Sequence, residues 1–237
     1  MLIEYWSDFT CPFCYIAEAR MKKVLRDLDL EKDTKIVFKA FELNPNSSSV
    51  PKRTVVEGFA RHYAMPIEMA QAQVERIESM GRGEGLVFNY GTAHVTNTFD
   101  ALRIAKLAQS KSNDLCNVYA DRMYKAFFEE NLIMADRDVI RRMAEEVDMD
   151  GEEVARVLES GEFSDEVRQD EYEANRLGLS AVPFFAINRK YGIPGAVDAR
   201  EMARMLLKAY DDEEAEATNP GMVCGPDGCH PVDGGKE

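Results

Sequence analysis

Leu2-Ile3-Glu4-Tyr5-Trp6, followed at Thr10-Cys11-Pro12-Phe13-Cys14 by the first residues of an amphipathic pattern, is the stretch on which the fold turns. A β-forming run that feeds a Cys-x-x-Cys at a helix start predicts a strand-to-helix junction carrying two thiols. The first helical turn leaves N–H groups unpaired and carries the positive end of the macrodipole, and both favour a thiolate over a thiol. Cys11 is the expected nucleophile. Cys14, one turn deeper, is the expected resolving thiol. Pro12 suits an early helical position, where its missing donor costs nothing, and Phe13 brings no charge to the site. The same spacing is half of many zinc frameworks, for which Cys116, Cys224, Cys229, His62, His94 and His230 are the further ligands on offer. A motif placed at a strand-to-helix junction weighs against zinc, and neither a metal nor a bound cofactor is expected.

Working outward, Cys14, Ala17, Met21, Val24, Leu25 and Leu28 recur at steps of three and four and so share one helix face. Residues 35–41 are rich in β-formers and close at the turn signal Asn44-Pro45. Strand, helix and strand form a βαβ unit, whose right-handed crossover makes the two strands parallel. Residues 52–178 then read as helical almost throughout. Pro66 opens a helix with Ile67, Ala70, Val74 and Ile77 on one face, and a Gly-rich break through Gly81, Gly83 and Gly85 follows. Helices are expected over 98–108, 115–129, 137–147 and 164–176, with a short one begun by Asp150 and Glu153 as a capping-box pair. Such a stretch between two β regions predicts an α/β fold with an all-helical insertion packed over the edge of a small sheet. Strand signals return at 184–188 and 193–196, and Asp198 caps a last helix to about residue 210. Val182-Pro183 heads the third strand, and from its position alone a cis bond facing the thiols and an ordinary trans proline are both open.

With 29 Lys and Arg against 43 Asp and Glu, the chain carries a formal charge of -14, which repels nucleic-acid phosphates. No apolar run approaches the roughly 20 residues of a membrane span. The N-terminus reads as strand rather than as a basic region with a long apolar stretch, so the expected compartment is the cytoplasm, where a dithiol is more often catalytic than structural. Cys116 and the methionines Met65, Met69, Met80, Met123 and Met143 fall at core-type helical spacing. Glu42, at the carboxyl end of the second strand, reads either as a proton acceptor for Cys14 or as a solvated carboxylate. His62 and His94 are isolated, the latter adjoining the segment of Asn97.

Taken in order, Thr10-Cys11-Pro12-Phe13-Cys14-Tyr15-Ile16, Phe41-Glu42-Leu43-Asn44-Pro45, Val95-Thr96-Asn97-Thr98-Phe99 and Gly178-Leu179-Ser180-Ala181-Val182-Pro183-Phe184-Phe185 resemble the DsbA-like thioredoxin-fold oxidoreductases of the FrnE type. The resemblance covers about residues 1–210. It implies a thioredoxin-like domain in two parts (1–45 and 179–210), a helical insertion domain (46–178) and a flexible acidic tail (211–237). It further implies Cys11 and Cys14 as the redox pair, Val182-Pro183 as the cis-proline element, and Pro12, Phe13, Glu42 and Asn97 as residues lining the site. Periplasmic DsbA members carry a His inside the dipeptide, where this chain has Phe13, so strong oxidant behaviour is not carried over. Related isomerases and kappa-type glutathione transferases carry Ser at the nucleophile position, and the presence of both cysteines here favours an oxidoreductase.

Cys224-Gly225-Pro226-Asp227-Gly228-Cys229 holds turn formers that bring its two sulfurs together. Some FrnE-type proteins exchange such a C-terminal pair with the active-site pair, so a relay role is implied for Cys224 and Cys229; an inert disulfide and metal capture with His230 are the alternatives. The expected activity is thiol-disulfide exchange on protein or small-thiol substrates, with an oxidative-stress setting and with glutathione or a thioredoxin system as partner. A glutathione-dependent isomerase or transferase acting on an aromatic acid, and a zinc-binding holdase, are the competing readings.

Overall fold

The computed structural model describes the backbone of residues 1–218, 222–225 and 228–231, and the side chains of residues 1–215. Strand β1 (Leu2–Ser7) pairs in parallel with β2 (Lys35–Ala40), with Leu2 opposite Lys35 and Ser7 opposite Ala40. Helix α1 (Pro12–Asp27) makes the crossover, as the βαβ reading predicts. On the other side of β1 runs the antiparallel β3 (Phe184–Ile187), followed by the antiparallel β4 (Tyr191–Pro194), giving the order β2-β1-β3-β4. Because β1 is central and covered on both faces, all of it beyond Leu2 is buried.

Between β2 and β3 the chain forms α2 (Val55–His62), α3 (Ile67–Gly83), a short 3-10 turn (Tyr90–Thr92), α4 (Phe99–Lys111), α5 (Asn113–Phe128), α6 (Arg137–Glu145), α7 (Gly151–Glu159) and α8 (Ser164–Arg176). These helices seal the outer edge of β2, whose backbone groups would otherwise be unpaired. Asn117 of α5 donates to the Ile36 carbonyl at 3.3 Å, Gln109 of α4 to the Phe38 carbonyl at 2.9 Å, and the Ala40 N–H donates to the carboxylate of Asp170 on α8 at 2.9 Å. Asp170 is also paired with the buried Lys106 of α4 and, at 3.2 Å, with Lys39, while its carbonyl accepts the Trp6 indole N–H at 3.0 Å. Aromatic packing continues the join: Phe9 stacks on Phe38 and meets Tyr119 and Tyr124 of α5 edge-on.

Several local features depart from the sequence reading. Helix α2 lies in the stretch that reads as helical, where the sequence marks no separate bounds, and its N-terminus holds the full capping box: the Thr54 hydroxyl accepts from the Glu57 N–H while the Glu57 carboxylate accepts from the Thr54 N–H. At α7, Asp150 caps as expected, but the Glu153 carboxylate turns to Lys111 at 2.8 Å instead of closing a box. Gly81 and Gly83 lie inside α3 rather than in a break. Gly81 is there for packing, since an added Cβ would sit 2.4 Å from the Phe88 ring; Gly85, at φ +83°, makes the turn. Met123 and Met143 are core residues, whereas Met69 and Met80 are exposed on α3, against the expectation.

Helix α9 (Ala199–Thr218), capped by Asp198, continues beyond residue 210, so residues 211–218, assigned to the tail from sequence, are helical. Strands β5 (Met222–Gly225) and β6 (Gly228–Pro231) form an antiparallel hairpin that sets Cys224 opposite Cys229. Directly opposed residues in such a pair have Cα atoms about 4.5–5.5 Å apart, within disulfide range. The side chains of both, and His230, lie outside the described residues. Among the described residues no helix is long and apolar enough to cross a membrane.

Candidate active site

Beyond the last residue of β1 the chain turns through Asp8-Phe9-Thr10, and the Cys11 N–H closes the turn on the Asp8 carbonyl at 3.1 Å. Cys11 is the N-cap of α1, in extended conformation, with Pro12 in the first turn. Its sulfur takes the place a Ser or Asp oxygen fills at other caps, accepting the Cys14 N–H at 3.3 Å. From across the site the Val182 carbonyl accepts the Cys11 S–H at 3.7 Å, and the Val182–Pro183 peptide is cis. Of the two proline geometries open from sequence, the cis one is adopted. Cys11 is 2% exposed and Cys14 1%.

Cys14 sits one turn in. Burial pushes its thiol well up from the ordinary value, and the hydrogen bond to Cys11 and the charge of Cys11 act in the same direction. Hydrogen bonding from the Ser7 side chain and the Asp8 backbone opposes that shift. The Ser7 hydroxyl also shares a short hydrogen bond with the Tyr124 hydroxyl, so a buried chain of polar groups runs from Cys14 into α5. Sequence reasoning missed Ser7, Asp8 and Tyr124, since no spacing marks them; only the Ser-Asp pair closing an apolar strand hinted at a buried polar junction.

Asp8 ties three segments together. One carboxylate oxygen accepts from the Thr10 N–H and hydroxyl at 3.0 Å each, the other from the Leu43 N–H at 2.8 Å and the Thr98 hydroxyl at 3.3 Å. Burial raises its pKa, and these four donors hold it back. Glu42 is neither solvated nor turned to Cys14: it is buried, and its carboxylate accepts from Asn97 at 3.1 Å and Arg168 at 2.6 Å. Glu42 and Asn97 are thus brought together as a brace between the loop after β2 and the start of α4. Phe13 is partly exposed beside the motif.

A cleft of about 820 Å³ opens against Asp8, Thr10 and Pro12, with its other walls drawn from residues 43–63 and 90–98 of the insertion. Tyr90 forms part of the wall and is buried; burial pushes its phenol up, and Cys11 and Asp8 add to that electrostatically. His62 lines the cleft. Cys116 is buried and does not line this cleft, its thiol pushed up to about 12 chiefly by burial. Among the described residues no three His, Cys, Asp or Glu side chains gather where they could hold a metal ion. Two sulfurs one turn apart, one capping a helix and one buried behind it, can cycle between dithiol and disulfide.

Comparisons with known proteins agree with this arrangement. The probable DsbA oxidoreductase SCO1869 from Streptomyces coelicolor superposes with a TM-score of 0.85 at 32% identity, over 97% of this chain and 98% of its own. The fold is shared with 2-hydroxychromene-2-carboxylate isomerase, at a TM-score of 0.67 and 15% identity, over 92% of this chain and 99% of that one. It is shared too with the cytosolic disulfide reductase DsbM from Pseudomonas aeruginosa, solved with GSH, at a TM-score of 0.56 and 17% identity, over 92% and 100%. The family description that matches residues 2–207 is the DSBA-like thioredoxin domain, and the chain belongs to that family.

Proposed function

We propose that the protein is a thiol-disulfide oxidoreductase in which Cys11 is the nucleophile and Cys14 the resolving thiol. The observation that carries this reading is the capping geometry at Cys11, whose sulfur accepts the Cys14 N–H at 3.3 Å at the positive end of α1. In the reducing direction the Cys11 thiolate attacks one sulfur of a substrate disulfide, forming a mixed disulfide and expelling the other sulfur as a thiolate. Cys14, having lost its proton, then attacks the Cys11 sulfur. The Cys11–Cys14 disulfide forms, the second substrate thiolate leaves, and two electrons have passed to the substrate. Two equivalents of a small thiol such as glutathione return the pair to the dithiol, a partner supported by the GSH held by the DsbM structure. The oxidising direction is the reverse of these steps.

We further read Cys224 and Cys229, opposed across their hairpin, as a second redox pair that exchanges with Cys11, in the manner of FrnE-type proteins, and the cytoplasm as the setting. The presence of both Cys11 and Cys14 favours this reading over a glutathione-dependent isomerase that shares the fold. Insulin reduction with the wild type, Cys11→Ser and Cys14→Ser is the test. Cys11→Ser is expected to abolish turnover, and Cys14→Ser to accumulate a mixed disulfide visible by mass spectrometry. Full activity of Cys11→Ser would end the proposal.

A further inference from the structure

The walls of the cleft beside Cys11 carry a charge opposite to that of the chain as a whole. Lys52, Arg53 and Arg61 line it, all three are exposed, and none forms an ion pair among the described residues. Elsewhere arginines such as Arg82, Arg122, Arg156 and Arg189 are held by carboxylates. The one carboxylate on the cleft wall, Asp8, is buried and turned to its four donors. Glu57, on the same helix as Arg61, stands outside the lining and is engaged at the Thr54 N–H. On a protein of formal charge -14, three unpaired cations on the wall of one recess concentrate a local positive field in a cleft that Thr10 and Pro12, the neighbours of Cys11, also line.

The same walls present large apolar side chains to water. Val50 is 63% exposed and Tyr63 58%, with Leu43 and Val95 also open. A small anionic disulfide would answer the three cations and leave these apolar groups wet. An extended polypeptide with carboxylate and apolar side chains would cover both, because the segment between residues 43 and 63 lines the cleft with the cations and with the apolar groups alike.

We propose that the substrate disulfide belongs to an acidic, partly apolar polypeptide segment, which seats its carboxylates against Lys52, Arg53 and Arg61 and its apolar side chains on Val50 and Tyr63 while presenting a sulfur to Cys11. This rests on the oxidoreductase reading above and assigns its substrate class. The chemistry is the exchange already written: Cys11 forms the S–S bond to the bound sulfur, and the other substrate sulfur leaves as the thiolate.

The test compares peptide disulfides identical except for Glu, Gln or Lys at the positions flanking the cysteine. Each rate is referred to that of the neutral bis(2-hydroxyethyl) disulfide with the same enzyme, and glutathione disulfide serves as the small anionic comparator. At about 20 mM salt the wild type is expected to prefer the Glu peptide over the Lys peptide by about tenfold in kcat/KM, and the ratio should shrink towards unity at about 500 mM. Arg53→Glu/Arg61→Glu is expected to invert the order, and Arg61→Gln, a milder change at an exposed position, to cut the preference about threefold. Equal rates for the Glu and Lys peptides, or an unchanged preference in either variant, would overturn the assignment. So would a charge dependence confined to glutathione disulfide, which would make the ligand a small anion. No turnover of the neutral disulfide by the wild type would instead count against the oxidoreductase reading itself.

Discussion

The backbone N–H of Cys14 donates to the sulfur of Cys11 at 3.3 Å, while the sulfur of Cys14 is driven towards the thiol form, first by burial and then by Cys11 itself. The two sulfurs are therefore inequivalent although only two residues separate them. The neighbours of Cys11, Thr10 and Pro12, stand on the cleft wall. Reduced protein exposed to limiting iodoacetamide at about pH 8 is expected to be labelled several-fold faster at Cys11 than at Cys14, whose thiol burial keeps protonated. Peptide mapping by mass spectrometry reads the ratio, and equal labelling would contradict the asymmetry.

Hydrogen bonding from Ser7 opposes the rise in the pKa of Cys14. Removing that donor in Ser7→Ala makes the Cys14 thiolate harder to form, so the resolving step slows while the first attack by Cys11 keeps its rate. A net hydrogen bond to a charged group contributes about 1.5–3 kcal/mol, which corresponds to a slowing of roughly tenfold or more. Rapid acid quench should show the mixed disulfide accumulating in Ser7→Ala. Tyr124→Phe, which keeps the Ser7 hydroxyl, is expected to have the smaller effect.

Asp170 holds α8 and α4 against the edge of β2 through the Ala40 N–H, Lys39 and Lys106. Breaking a buried pair leaves an uncompensated charge, at a cost of about 3–5 kcal/mol. Asp170→Ala should lose about that much in urea unfolding. Asp170→Leu combined with Lys106→Met, which removes both charges and fills the space, should recover much of it.

Glu18 supplies a pH dependence. Burial is the main cause that lifts its carboxyl from 4.5 to about 7, with Lys22 pulling the other way and Asp121 adding to the rise, while Tyr5 donates to one oxygen at 3.0 Å. An acid whose folded pKa is raised is worth most when protonated. Its contribution is complete below about pH 4.5 and is lost as pH rises through about 7. Glu18→Gln should therefore gain stability relative to the wild type between pH 5 and 8, by about 2 kcal/mol. Chemical denaturation at the two ends of that range measures the difference; parallel curves would refute it.

Much of this architecture was legible because it is written in short-range patterns. The apolar run before Cys11, the three-four spacing through Leu28 and the β-forming stretch from Lys35 each dictate a local conformation, and the parallel pairing follows from the handedness of the crossover. What stayed hidden depends on approach through space. Glu42 looked like a strand-end carboxylate open to water until Asn97 and Arg168, 55 and 126 residues away in sequence, came to cover it. Gly81 read as a helix breaker because the Phe88 ring that needs its missing side chain is set by tertiary packing. The unpaired state of Lys52, Arg53 and Arg61 is likewise invisible in a list of residues, since a surface cation is distinguished only by the carboxylates that fail to reach it.

A small sheet carries a hazard of its own, because an unpaired strand at its rim can template the stacking of whatever extended segment it meets. Along β2 that invitation is withdrawn: amide and carboxylate side chains from the helices occupy the places a foreign backbone would take. On that flank an extended chain meets positions already filled, and a fibre has no seam from which to grow.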